Sequence, residues 1–114
     1  MISFKQAQEL YEAEKYEEAL PLLEKLAQDG HPVAQTYLGN MYCYGKGVEV
    51  DDQEALAWYR KAVEQGNKYA QYALGEMYYH GYGVEHYEEA AAWFRKAAEQ
   101  GHAKAQSRLN GGIN

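Results

Sequence analysis

Four histidines, one cysteine, three carboxylate pairs, two Gly-x-Gly loops and twelve tyrosines are the residues of this chain that could do chemistry. His31, His80, His86 and His102 contain no i, i+4 pair joined to a carboxylate in the zinc-protease arrangement, so no metal set is readable. His31 and His102 each follow a glycine at the end of a helical stretch, with Asn67 at the equivalent place between them, which fits a residue that starts a helix. Gly45-Lys46-Gly47-Val48 and Gly81-Tyr82-Gly83-Val84 suggest a phosphate cradle at first sight. They follow a helical pattern rather than a strand, and they lack the third glycine or the Lys-Ser/Thr of the phosphate motifs, so they read as turns. Glu17-Glu18, Asp51-Asp52 and Glu88-Glu89 each open a helix, where negative charge complements the positive end of the dipole. No Ser, His and acid cluster is readable, and neither a catalytic residue nor a cofactor is expected. Cys43 has no second cysteine to pair with, gives no sign of an oxidising compartment, and reads as a small buried or half-buried thiol.

The elements that must position these groups are helices. Ser3 and Gln6 form a capping box, which predicts a first helix from Phe4 towards Glu14, followed by a connection at Lys15 and Tyr16. Ala19, Leu22, Leu23, Leu26 and Ala27 recur at helical spacing and predict a second helix, with Pro21 in its first turn and Gly30 closing it. The third helix carries Ala34, Tyr37, Leu38, Met41 and Tyr42, and a fifth repeats this stripe with Ala70, Ala73, Leu74, Met77 and Tyr78. Ala55, Trp58, Tyr59, Ala62 and Val63, then Ala90, Trp93, Phe94, Ala97 and Ala98, mark the helices between and after them. Tyr42, Tyr59, Tyr78, Trp58 and Trp93 therefore read as core. Gly39 and Gly75 fall inside helices, where glycine costs about 1 kcal/mol relative to alanine, so close approach of a neighbouring helix is the expected reason.

The organisation is a repeat. Ala34, Ala70 and Ala105 are spaced by 36 and 35 positions, and each run Ala19 to Gly30, Ala55 to Gly66 and Ala90 to Gly101 spans 11. The motif A-x-x-x-L-G-x-M-Y-x-x-G-x-G-V followed by A-x-x-W-[YF]-R-K-A-x-E-Q-G over Ala34 to Gln106 resembles the Sel-one-like repeats, a subclass of the tetratricopeptide-like helical repeats. The resemblance implies an all-α fold: an α-solenoid, a right-handed superhelix of antiparallel helix hairpins. Hairpins are expected at residues 2–30, 33–66 and 69–101, with a capping helix at 103–109 stopped by Asn110-Gly111-Gly112, the whole of 1–114 forming a single domain. One residue is missing between Val84 and Ala90, so His86 stands where Asp51, paired with Glu54, caps the equivalent helix, and the last loop is expected to be the looser one.

The resemblance also implies adaptor or scaffold roles, with the first helix of each pair lining a concave face. Carried over position by position, that face holds Phe4, Gln8 and Tyr11, then Thr36, Asn40, Cys43 and Tyr44, then Tyr69, Tyr72, Glu76, Tyr79 and His80. These residues differ between copies while the stripes hardly change. A row of Tyr11, Tyr44, Tyr72 and Tyr79 would offer rigid contacts with hydroxyl handles; the alternative is that these rings pack between neighbouring hairpins. Tyr82 and Tyr87 read as loop packing. The leading expectation is a non-enzymatic module binding a peptide or partner protein. A toxin-neutralising immunity-type protein and a homo-oligomer built through the exposed ends are the other readings. Cysteine-rich relatives linked to β-lactam binding or hydrolysis carry paired cysteines that this chain lacks, so a hydrolase is disfavoured.

Composition bounds the partner. The 114 residues are 46% hydrophobic with a net charge of −6, enough apolar content for a core and the wrong charge for nucleic acid or an anionic membrane. There is no run of roughly 20 apolar residues and no basic-then-apolar leader at the start, so a cytoplasmic location is the default expectation.

Overall fold

The computed structural model describes residues 3–81 and 86–111, and these form seven helices and no strand. Two compact units divide the chain, residues 1–65 and 66–114. The first holds α1 (Phe4–Glu12), α2 (Tyr16–Gln28), α3 (Pro32–Tyr44) and α4 (Asp52–Glu64); the second holds α5 (Lys68–Gly81), α6 (Tyr87–Glu99) and α7 (Ala103–Gly111).

In the first unit the apolar stripes close on one core. Ala7 of α1, Ala19, Leu23 and Ala27 of α2, and Ala34, Leu38 and Met41 of α3 are buried together, with Leu22 and Leu26 half-buried against them. Successive helices pair, as short turns require of antiparallel neighbours. The starts follow the sequence: Ser3 Oγ accepts from the Gln6 N–H at 3.3 Å, and Asp51 Oδ1 accepts from the N–H groups of Gln53 and Glu54, both at 3.1 Å. Two local expectations change. α1 ends at Glu12, because Glu14 adopts a left-handed φ of 61° and the Lys15 N–H turns back to the Leu10 carbonyl at 2.8 Å. α2 begins at Tyr16, so Pro21 sits in its second turn rather than its first, and the Glu17 carbonyl loses its usual amide donor.

Side chains explain why glycine stands inside two helices. A Cβ on Gly39 would overlap the Tyr59 ring, and a Cβ on Gly75 would lie 2.6 Å from the Phe94 ring. Tyr59 and Phe94 are the largest fully buried side chains of their units. The Gly45–Gly47 loop is a turn, as expected: Gly45 closes α3 at φ 69°, and a Cβ on Gly47 would meet Tyr16 Cβ at 2.8 Å. Tyr82, Gly83, Val84 and Gly112, and with them the expected looser loop, lie outside the described residues.

In the second unit Ala70, Leu74 and Met77 of α5 are buried, and so are Ala90, Phe94 and Ala97 of α6 and Ala105 of α7. His86 makes no side-chain cap bond at the start of α6 and lies 3.8 Å from Glu89. Tyr42, Tyr78, Trp58 and Trp93, expected in the core, are only half-buried. The two indoles sit at the margin because each carries a lysine over its face, Lys61 at 5.3 Å and Lys96 at 5.1 Å, and those ammonium groups stay hydrated.

Candidate functional site

The candidate residues of the first unit come from α1 and α3 and meet in a ladder of rings. Phe4 stacks on His31 at 4.2 Å and on Tyr37 at 5.9 Å; Tyr37 lies parallel to Tyr11 at 3.9 Å and 2°; Tyr11 meets the edge of Tyr16 at 5.4 Å. The polar groups of the same face are occupied. Gln8 Nε2 donates to Tyr37 Oη at 3.3 Å. Tyr59 Oη donates to Asn40 Oδ1 at 2.6 Å, and Asn40 Nδ2 donates to Tyr11 Oη at 3.2 Å. Gln8 and Asn40 thus fix tyrosines, which is how a half-buried amide avoids a stranded donor. Burial pushes the Tyr11 hydroxyl above its ordinary range, so it stays protonated at neutral pH.

Thr36, expected on this face, is 3% exposed, and its hydroxyl donates to the Pro32 carbonyl at 2.9 Å, so it presents no surface to a partner. Cys43 is half-buried; burial first and the Asp52 charge second raise its thiol above the usual range. Tyr44 is 63% exposed and Lys46 Nζ lies 6.0 Å from its ring centre, while the same ammonium donates to Tyr16 Oη at 3.3 Å. An open depression beside Tyr16 is lined by Glu14, Lys15, Tyr16, Glu17 and Glu18.

The second unit uses the same positions differently. Tyr69 is 55% exposed, with its ring 5.6 Å from His102. Tyr72 stacks on His102 at 4.5 Å and tilts against Phe94 at 5.5 Å. Glu76 receives a fork from Arg108, with Nε to Oε1 at 2.7 Å and Nη2 to Oε2 at 2.9 Å. His80 Nε2 lies 3.2 Å from Glu76 Oε2 and 3.0 Å from Arg108 Nη2. Tyr79 lies under the Arg108 guanidinium at 5.0 Å and stacks on Tyr87 at 4.9 Å. Tyr11, Tyr72 and Tyr79 therefore pack between neighbouring helices of their own units, and Tyr44 and Tyr69 are the candidate tyrosines that remain mostly exposed.

Sequence reasoning missed the glutamines that tie hairpin to hairpin. Gln65 Nε2 donates to the Gly30 carbonyl at 2.9 Å and to Gln35 Oε1 at 3.0 Å, and Gln35 Nε2 donates to the Ala27 carbonyl at 3.0 Å. In the second unit Gln100 reaches the Gly66 carbonyl and Gln71 Oε1, both at 2.8 Å, and Gln106 reaches the Ala98 carbonyl at 3.1 Å. The signal was present: Gln35, Gln71 and Gln106 recur at spacings of 36 and 35, and Gln65 and Gln100 hold one place in the E-Q-G motif. A polar residue fixed among variable ones satisfies backbone here. The histidines expected at helix starts do the same, since His31 Nδ1 accepts from the Ala34 N–H at 3.3 Å and His102 Nδ1 from the Ala105 N–H at 3.2 Å. Asn67 Oδ1 accepts from the Ala70 N–H at 2.9 Å in the copy between them.

Helix hairpins repeated at a period of 35 to 36 residues, with a glycine under each large ring and a glutamine linking each hairpin to the last, define a helical-repeat protein of the α-solenoid class. Within that class the chain belongs to the Sel1 repeat family, whose repeat matches residues 32–67 and 68–102. The fold is similar to that of a Sel1 repeat protein from Oxalobacter formigenes, with 43% identity and a TM-score of 0.81 over 91% of this chain and 43% of that one. It is also similar to a protective antigen present in uropathogenic Escherichia coli strains and displaying an SLR fold, with 38% identity and a TM-score of 0.75 over 82% of this chain. The chain spans less than half the length of the first protein and about a fifth, 21%, of the second. No curated protein matches it. Proteins of this repeat class are in general non-catalytic scaffolds. No helix among the described residues is long and apolar enough to cross a membrane.

Proposed function

We propose that the chain is a non-enzymatic interaction module that binds a peptide or partner protein through the first-helix faces of its repeats. The observation that carries the reading is the exposure of Tyr44 at 63% and Tyr69 at 55%, each at a variable position on a scaffold whose core stripes hardly change. A large ring left in water at such a place supplies contact area at little entropic cost when a partner covers it, and its hydroxyl supplies a hydrogen bond. A net charge of −6 favours a partner segment with basic character over nucleic acid or an anionic membrane.

Affinity capture from extract of the source cells tests the reading, with the wild-type chain set against a Tyr44→Ala, Tyr69→Ala double variant. These two truncations spare the rings that pack between helices, so helicity is unchanged. A protein retained by the wild type and lost with the variant is the expected result. Equal retention by both refutes the assignment of the face.

A further inference from the structure

The last helix is held to its unit by very little apolar surface. Ala105 is the buried residue of α7, and Leu109 packs only partly against α6. Two polar contacts near its ends make up the difference. At the start, His102 Nδ1 accepts the Ala105 N–H at 3.2 Å, and the imidazole lies flat on Tyr72 at 4.5 Å with Tyr69 at its edge. Towards the other end, Arg108 forks onto Glu76, lies over Tyr79, and places Nη2 3.0 Å from His80 Nε2.

The start depends on a neutral imidazole. Protonated at Nδ1, His102 would present a second donor to the Ala105 N–H and a positive charge to the positive end of the helix.

We propose that His102 makes α7 an acid-sensitive latch, capped and docked on α5 and α6 while that ring is neutral and loosened when it takes up a proton, which uncovers Tyr72 and Phe94. The charges around His102 are Lys68 from α5 and Lys104 from α7, and the Ala97 carbonyl of α6 accepts from its backbone N–H rather than from the ring. Burial first, then Lys68 and Lys104, hold the His102 ring below its ordinary value of 6.5. A histidine lowered in the folded state contributes stability that is fully present above the ordinary value and is lost as pH falls through the folded one, so release belongs on the acid side of about pH 6.5. Asn67 supplies the control from within the chain, because it caps α5 from the same position with no titrating group.

Amide hydrogen exchange on the full chain, corrected for intrinsic rates, tests the latch at about pH 7.5 and about pH 5. Protection of Ala105 to Gly111 is expected to fall at the lower pH while that of α5 holds. In a His102→Asn variant it is expected to stay nearly level. Protection of α7 that is unchanged in the wild type, or that falls equally in the variant, overturns the proposal. Should the variant fail to dock α7 at all, NMR titration of the wild-type His102 ring decides: an apparent pKa at or above the ordinary value overturns it, and one below supports it.

Discussion

Tyr59→Phe removes a single oxygen from the centre of the first unit. The ring is 1% exposed, and its hydroxyl makes the 2.6 Å bond to Asn40 Oδ1 that begins the relay to Tyr11. A net bond of this kind is worth about 1 kcal/mol, and the half-buried Asn40 carbonyl left without its donor adds a desolvation cost, so the expected loss is roughly 1.5–2.5 kcal/mol. In a chain of 114 residues that lowers the melting temperature by on the order of 5–10 °C. Urea unfolding followed by circular dichroism and by the combined emission of Trp58 and Trp93 measures it. Asn40→Ala is expected to cost a similar amount, because it strands the Tyr59 hydroxyl, whereas the double variant strands neither group. The coupling between the two is therefore expected near 1 kcal/mol. A cost below about 0.5 kcal/mol, or strictly additive variants, would refute the relay.

Two substitutions probe the backbone. Gly75→Ala places a methyl 2.6 Å from the Phe94 ring; overpacking of about 1–3 kcal/mol outweighs the helical gain of about 1 kcal/mol, so thermal melts should show net destabilisation. Glu14→Gly relieves a left-handed φ of 61° and is expected to stabilise by about 0.5 kcal/mol in urea unfolding, the relief exceeding the added entropy of the unfolded chain.

The parts of the fold legible in the sequence were those decided by short-range rules. The stripes, the Ser3, His31, Asn67, Asp51 and His102 starts and the in-helix glycines each follow from spacing within one helix or one hairpin, and the repeat supplied a second copy to check them against. Pro21 escaped because the second helix begins three residues before its apolar stripe, at Tyr16 rather than at Ala19, with Tyr16 in the first turn and half-buried against the α1–α3 core. The face was legible as positions but not as contacts. Which ring lies on which depends on the distance between successive hairpins, and nothing in a stripe of Ala, Leu and Met states that Tyr37 will lie flat on Tyr11 at 3.9 Å. Arg108 was the hardest to foresee, since it holds the register of Tyr37 and Ala73, three residues with no chemistry in common.

That register shows how the variable positions are correlated within each unit. Position 40 is an asparagine that needs a donor, and Tyr59, the ring beneath Gly39, supplies a hydroxyl at 2.6 Å. Position 76 is a glutamate, and the ring beneath Gly75 is Phe94, which has no hydroxyl to give. The donor comes instead from the next helix, where Arg108 forks onto the carboxylate. Neutral amide with phenol and carboxylate with guanidinium satisfy the same site by different means, and the tyrosine-to-phenylalanine change in the core follows from which partner the surface residue has. The second solution gives the terminal helix a charged grip on its unit that the first unit does not require of α3, whose seat is made by Ala34, Leu38 and Met41.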